Sequence, residues 1–134
     1  MSAEQFVGRW KLVHSENFEE YMKEVGVGML ARIAAANVKP TLEIKVNGDS
    51  WNVNQLSTFK NTTLNFTLGV EFDEVTPDGR AFKSTITFEN GKVVHVQKKD
   101  GKVETTITRW LEGEKLITTL QAGSVTSRRE YVRE

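Results

Sequence analysis

The sequence contains no cysteine. This absence excludes disulfide bonds, thiolate metal sites and cysteine nucleophiles. Small secreted domains often depend on disulfides, so the cytoplasm is the expected location. No stretch approaches the roughly 20 apolar residues that a membrane-spanning helix needs. The opening residues 1–5 also lack the basic region and apolar run of a secretory signal peptide, and none is expected.

An excess of charge of either sign is also missing. Eighteen Lys and Arg residues balance eighteen Asp and Glu residues, so the formal net charge is zero. A chain without a basic excess has no electrostatic footprint for nucleic acid, and no nucleic-acid partner is expected. The two histidines, His14 and His95, lie far apart in the sequence and in no nucleophile motif. We therefore expect no enzymatic activity, no metal site and no cofactor.

Turn-forming residues recur regularly through the second half of the chain. Successive glycines of these turns, from Gly79 to Gly123, are 10 or 12 residues apart. This spacing predicts short antiparallel strands joined by hairpins. Together with the first half, ten strands are predicted, over residues 6–14, 41–46, 51–56, 64–68, 70–72, 82–88, 93–97, 105–111, 116–120 and 125–132.

One interval departs from the β pattern. Residues 15–17 offer a cap for a first helix, and residues 26–28 interrupt it with two glycines. Residues 29–36 are strong helix formers, and Pro40 prevents the second helix from continuing. A helix–turn–helix is therefore predicted over about residues 16–37, between the first strand and the others.

The predicted elements indicate an all-β fold. A meander of ten strands must protect its edges, and closure into a barrel does so. Barrel diameter grows with strand number, so ten strands enclose more space than their side chains fill. We expect one domain over residues 1–134, built as an antiparallel β-barrel with an internal cavity that the two helices cover at one end.

Two arginines on separate predicted strands are the main candidates for chemistry. Arg109 lies between Ile107 and Leu111 on the more apolar face of its strand, and Arg129 shares a face with Tyr131. Two guanidinium groups inside a barrel would need an anion, and a carboxylate matches their planar fork of donors. If these faces point outward, each arginine is instead a surface residue paired with an acidic neighbour. Strand periodicity leaves both possibilities open.

Ordered motifs through the whole chain resemble a known family. They are Phe6-Val7-Gly8-Arg9-Trp10-Lys11-Leu12-Val13, Ser15-Glu16-Asn17-Phe18, Tyr21-Met22-Lys23, Gly26-Val27-Gly28, Ser57-Thr58-Phe59-Lys60-Asn61-Thr62, Phe72-Asp73-Glu74, Lys83-Ser84-Thr85 and Arg129-Glu130-Tyr131. The sequence thereby resembles the fatty-acid-binding branch of the intracellular lipid-binding proteins, close to its heart, adipocyte and myelin types. Relative to vertebrate members, the stretch 100–105 is one residue longer, which affects one hairpin.

The resemblance implies a flattened ten-stranded barrel (a β-clam, lipocalin-like or calycin) with a helix–turn–helix lid and a water-filled cavity. It implies that Arg109, Arg129 and Tyr131 face inward and hold a ligand carboxylate, and that Phe59 is a portal residue. Further candidate ligand contacts are Phe18, Met22, Val27 and Ala35 in the lid, and Pro40, Ser57, Asp78, Arg80 and Gln97 in the cavity wall. For the lid residues, ordinary core packing remains the alternative.

The function implied by the resemblance is non-covalent binding and transport of one long-chain fatty acid by a monomer. A retinoic acid carrier is the alternative, because that branch uses a similar pair of arginines and tyrosine. Lys23, Arg32 and Lys39 would give the lid a positive face for transient contact with anionic membranes. Ile33 replaces a basic residue of the family's nuclear-import patch, so nuclear localisation in addition to the cytoplasm is left open.

Overall fold

The computed structural model describes residues 2–134, so Met1 of the predicted domain lies outside the described residues. Within them, the chain forms a short 3-10 helix, Ala3–Phe6, two α-helices and ten strands. The helices are α1 (Phe18–Glu24) and α2 (Met29–Ala36). The strands are β1 (Gly8–Glu16), β2 (Thr41–Asn47), β3 (Ser50–Leu56), β4 (Thr62–Thr67), β5 (Phe72–Val75), β6 (Ala81–Glu89), β7 (Lys92–Lys99), β8 (Lys102–Glu112), β9 (Lys115–Ala122) and β10 (Val125–Arg133).

The strands form one antiparallel sheet that curls into a nearly closed barrel. Their order is β4-β3-β2-β1-β10-β9-β8-β7-β6-β5, so all neighbours in the chain except β4 and β5 are neighbours in the sheet, and β1 also pairs with β10. The sheet ends, β4 and β5, are not joined by a ladder in the part of the chain described. Phe66 and Phe72 stack there instead, with ring centroids 5.7 Å apart. Aromatic packing therefore bridges the last gap that hydrogen bonds would bridge in a fully closed barrel.

The main hydrophobic core lies where β1 begins. Phe6 and Trp10 are 0% and 1% exposed and pack with Trp51 and Phe66. The indole Nε1 of Trp10 donates a hydrogen bond to the carbonyl oxygen of Phe6 at 2.9 Å. The 3-10 helix is thereby attached to this end of the barrel. The lid helices lie at the opposite end of β1. There Met22 of α1 and Val27, between the two helices, form a smaller apolar cluster with Ala122 of β9.

The predicted cap of the first helix is wrong in part. Ser15 and Glu16 belong to β1, because they continue to pair with Arg129 and Arg128 of β10. The chain turns at Asn17 alone, whose φ of 58° is left-handed and whose side chain makes no capping hydrogen bond. α1 and α2 nevertheless lie inside the predicted interval of 16–37. None of the helices described is long and apolar enough to span a membrane.

The bounds of all ten predicted strands differ from the observed ones by one to three residues at one end or both, and in the first, the fourth and the fifth some predicted strand residues adopt another structure. The first begins at Gly8 and not at Phe6, since the residues before it are drawn into the 3-10 helix. Gly8 has a φ of 132°, which other residues rarely adopt, and a Cβ there would lie 2.6 Å from Nη1 of Arg133, so that guanidinium group would have to move. The predicted strand 70–72 is wrong at Val70, whose amide donates to Thr67 in a turn, and β5 starts only at Phe72.

Candidate ligand-binding cavity

An internal cavity lies between the barrel wall and the lid helices. The space between its walls, including the opening to solvent, is about 1240 Å³, and the centre of a water molecule can occupy about 170 Å³ of it. All thirteen candidate residues line it: Phe18, Met22, Val27, Ala35, Pro40, Ser57, Phe59, Asp78, Arg80, Gln97, Arg109, Arg129 and Tyr131. The structure therefore brings together residues that are more than 100 positions apart in the sequence. Their contact with a ligand stays a prediction.

Arg109, Thr118 and Arg129 form a row across three strands. Arg109 is opposite Thr118 in the β8–β9 ladder, and Thr118 is opposite Arg129 in the β9–β10 ladder. Residues directly opposite each other in an antiparallel sheet project from the same face. All three line the cavity, as does Tyr131, two residues further along β10. The faces whose direction periodicity left open therefore point inward.

The row carries polar atoms without partners. Nη1 of Arg109, Oγ1 of Thr118 and Nε of Arg129 are buried and have no hydrogen-bond partner among residues 2–134. Burial is the main reason why the pKa of Arg109 lies below its ordinary value, and the charge of Arg129 lowers it further, against opposing effects of Tyr131 and Glu74. Two cations in a poorly hydrated space destabilise each other. An anion between them would relieve this repulsion and satisfy the free N–H groups.

The lid is in direct contact with this cationic end. The guanidinium carbon of Arg129 lies 3.8 Å from the ring centroid of Phe18, a cation–π contact. Phe18 also stacks on Tyr21, with centroids 6.1 Å apart and ring planes 15° apart. Movement of α1 would therefore change the surroundings of Arg129 directly.

Three of the weaker candidates have their polar atoms engaged in bonds within the protein. The Ser57 hydroxyl accepts the amides of Phe59 and Lys60 at 3.2 and 3.0 Å, so it orders the turn that carries Phe59. Arg80 donates Nη2 to Asp78 at 3.1 Å, so their charges compensate each other beside the lid. These three polar side chains line the cavity, but their strongest bonds are to the protein itself.

Sequence analysis missed a buried carboxylate in the cavity wall. Oε1 of Glu74 accepts the hydroxyl of Ser84 at 2.7 Å and lies 2.7 Å from Nε2 of His95, and Oε2 accepts Nε2 of Gln97 at 3.2 Å. Glu74 and His95 are 6% and 5% exposed. The available signal was that Ser84, His95 and Gln97 occupy alternate, inward positions of two predicted strands. Glu74 itself followed a predicted strand that ended too early.

The acid stability of the protein is expected to depend on Glu74. Burial raises the pKa of its carboxyl group, but the hydrogen bond and charge of His95 and the bonds from Ser84 and Gln97 outweigh burial, so the net pKa is below the ordinary value of 4.5. The unfolded state therefore takes up this proton first as pH falls. The contribution to stability is complete above the unfolded pKa and is lost as pH falls through the folded pKa.

Glu74→Gln should accordingly lower the free energy of unfolding by about 1–3 kcal/mol at pH 7 and by less at pH 3. Urea unfolding at both pH values measures the difference. Glu71→Gln, at an exposed position close by, should have little effect at either pH. An equal loss for Glu74→Gln at both pH values would contradict the assignment.

A family model, a similar sequence and two similar solved structures relate this chain to fatty-acid and lipid binding proteins. A family model described as the lipocalin / cytosolic fatty-acid binding protein family matches residues 7–134. The chain is 78% identical over 136 residues to fatty acid-binding protein homolog 5 of Caenorhabditis elegans, covering 100% of both. The solved structure of lipid binding protein 8 from the same organism has a TM-score of 0.93 at 52% identity, covering 100% of this chain and 99% of that one. A Schistosoma mansoni fatty acid binding protein in complex with arachidonic acid has a TM-score of 0.93 at 37% identity, with 100% and 99% covered.

Proposed function

The chain belongs to the lipocalin / cytosolic fatty-acid binding protein family, and on that premise we propose that it binds and carries one long-chain fatty acid in its cavity. The observation that carries the proposal is the pair of cavity-lining arginines, each with a buried N–H group that has no partner among residues 2–134, beside a largely apolar cavity. A carboxylate supplies the missing acceptors and the negative charge, and Tyr131 adds a hydroxyl donor. The names of the similar proteins, and the arachidonic acid in one of the solved structures, support the same ligand class.

The free energy of binding comes mainly from the tail. Burial of about a dozen methylenes at ~0.8 kcal/mol each gives a gross gain near 10 kcal/mol. Loss of translational freedom and ordering of the ligand chain offset several kcal/mol of this gain. A submicromolar affinity is therefore expected, with the arginines selecting the head group and its orientation. Binding changes no covalent bond, so the ligand should be recovered unchanged and the protein is not proposed as an enzyme.

Competition between oleate and all-trans retinoic acid tests the ligand class. Both are carboxylates and would satisfy the same arginines, so the shape of the apolar cavity must decide between them. We expect oleate to displace a fluorescent probe from the cavity at a lower concentration than all-trans retinoic acid does. Clear preference for the retinoid would replace the fatty-acid proposal by the retinoid alternative. Identification of lipid released from the protein as purified from cells would name the acid itself.

We propose that the lid makes transient contact with anionic membranes during ligand transfer. Its outer face exposes Met29, Leu30 and Ile33 of α2 at 63%, 82% and 62%. The charges predicted for this face are partly engaged: Lys23 lies 3.9 Å from both Glu19 and Glu20, and Arg32 donates Nη1 to a backbone carbonyl at 2.7 Å. Apolar insertion should therefore contribute more than charge, and salt should slow transfer only modestly.

Leu30→Glu is expected to slow transfer of a fluorescent fatty acid to phosphatidylserine-containing vesicles by about three- to tenfold, because it replaces inserted apolar surface by a charge that the anionic surface repels. Stopped-flow transfer measures the rate. Val103→Glu, the same change at an exposed position on β8, is the matched control. Transfer rates that do not differ between the two variants would argue against membrane contact through α2.

We also propose that the chain acts as one domain and as a monomer in the cytoplasm. The candidate residues extend from Phe18 to Tyr131 of a single chain, and no second copy is needed to complete the cavity wall. The lack of cysteine suits a reducing compartment. Because Ile33 replaces a basic residue in the lid, nuclear entry is not included in the proposal.

A further inference from the structure

Gln97 presents an acceptor to the cavity that the protein leaves without a donor. Its side chain is 2% exposed and lines the cavity. Nε2 of the amide donates to Oε2 of Glu74 at 3.2 Å, whereas Oε1 is buried and has no hydrogen-bond partner in the part of the chain described. A buried carbonyl oxygen costs free energy unless a donor reaches it.

The neighbouring groups fix the orientation of this amide. Glu74 also accepts from Ser84 and lies within hydrogen-bond distance of His95, and an ionised carboxylate can only accept. The Nε2 group of Gln97 must therefore point to Glu74, which leaves Oε1 for a different partner. Thr105, opposite Gln97 in the β7–β8 ladder, accepts the hydroxyl of Tyr21 at 3.2 Å and makes no bond to Oε1.

This acceptor is displaced along the barrel from the backbone position of Arg109. In the β7–β8 ladder, Arg109 is opposite Val93, and Thr105 is opposite Gln97. Four residues along a strand correspond to about 13 Å. A ligand with its carboxylate at the arginines would therefore reach Gln97 with its hydrocarbon chain and not with its head group.

The partner of Oε1 must be a donor, and a fatty acid that displaces water from the cavity can supply one only from its otherwise apolar chain. A hydroxyl group meets both requirements, whereas a keto or ether oxygen would face Oε1 as a second acceptor. We propose that Gln97, held by Glu74, forms a second polar subsite that favours long-chain fatty acids with a hydroxyl group remote from the carboxylate. This inference rests on the proposed fatty-acid function and names a ligand class within it.

Calorimetric titration with stearate, 12-hydroxystearate and 2-hydroxystearate tests the subsite. We expect 12-hydroxystearate to bind about fivefold more tightly than stearate, the gain of one net hydrogen bond. The 2-hydroxy isomer should gain nothing, because its hydroxyl lies at the cationic end. In Gln97→Met, which has no acceptor of comparable strength, the ratio of 12-hydroxystearate to stearate affinity should fall to about one. Gln121→Met makes the same change at an exposed position on β9 and should keep the wild-type ratio.

Each other outcome decides against the subsite. Equal affinities for stearate and 12-hydroxystearate would overturn it while leaving the fatty-acid proposal intact, and binding of neither acid would overturn the fatty-acid proposal first. A ratio that persists in Gln97→Met would place recognition of the hydroxyl elsewhere. If that variant does not fold, the side-chain amide resonances of Gln97 in the wild-type protein provide the test: they should shift with 12-hydroxystearate relative to stearate, and identical spectra would contradict the inference.

Discussion

Replacement of Arg129 by glutamine is expected to weaken oleate binding by about 2–4 kcal/mol, the usual scale for breaking a buried charge-assisted contact. This corresponds to roughly 30- to 700-fold in the dissociation constant. Arg129 is 6% exposed, and within the described residues no acidic side chain forms a salt bridge with it. A bound carboxylate would therefore lose a direct cationic partner in a place where water compensates poorly. Titration calorimetry measures the loss.

The comparison with a fatty alcohol separates charge recognition from packing. An alcohol of the same chain length should lose much less affinity on Arg129→Gln, and equal losses would show that Arg129 does not recognise charge. Arg128→Gln is the matched control, since Arg128 directly precedes Arg129 in β10, points to the other face of the strand, and its Nε lies 3.4 Å from Oε2 of Glu130. It should leave binding of both ligands nearly unchanged.

Stability of the ligand-free protein provides a second readout of the same variant. Arg129 is a buried cation whose desolvation no acidic side chain of the described residues compensates, so its removal should not cost stability. Arg129→Gln should therefore unfold in urea at the same concentration as the wild type or at a higher one. A large loss of stability would instead mean that Arg129 has mainly a structural role, through its contact with Phe18.

Trp10→Ala is expected to lower the free energy of unfolding by about 3–5 kcal/mol, the range for removing a buried indole from a packed core. Trp10 is 1% exposed, bonds to the carbonyl of Phe6, and its ring lies 4.1 Å from the guanidinium carbon of Arg133. The substitution therefore removes apolar contacts and leaves a buried backbone acceptor without its donor. Urea unfolding followed by circular dichroism measures the loss.

Trp110→Ala is the matched control for this substitution. Its indole is only partly buried and packs beneath Lys92, 5.1 Å from Nζ, so a smaller loss is expected. Trp10 does not line the cavity, and oleate affinity should change little in any folded Trp10 variant. If Trp10→Ala is unfolded, the milder substitution Trp10→Phe should still lower the free energy of unfolding more than Trp110→Ala does. A loss no larger than that of Trp110→Ala would contradict a dominant role of Trp10 in the core.

The expected effects of these two substitutions indicate that the two ends of the barrel contribute differently to stability. Where β1 begins, aromatic side chains around Trp10 are packed and hydrogen-bonded, and they contribute stability. Near the lid, Arg129 is buried against Phe18 and forms no salt bridge with an acidic side chain of the described residues, which costs stability in the absence of an anion. Ligand binding should therefore stabilise the lid end more than the core end, which hydrogen exchange with and without oleate would show.

Local sequence signals were sufficient for the number of strands and α-helices, but they did not indicate the 3-10 helix. The regular glycine spacing from Gly79 to Gly123 predicted hairpins because turns of positive φ are a local requirement of the backbone. The helix formers at 29–36 were equally local. Strand ends were less accurate: Phe6 and Val70 have the residue types of strands, but a 3-10 helix and a turn use them differently.

Alternation along a strand placed Arg109 and Arg129 on defined faces, yet only the resemblance to a family indicated which face pointed inward. Tertiary structure decided this through register, because Thr118 of β9 lies between both arginines and brings their side chains to one surface. Glu74 was missed for the same reason. Its carboxylate is stable inside the barrel only where β6 and β7 place three polar partners around it, and no property of residues 72–75 alone contains that information. Side chains and turns are determined by short-range chemistry, whereas the pairing of strands determines which polar groups are buried together, and that pairing depends on the whole barrel.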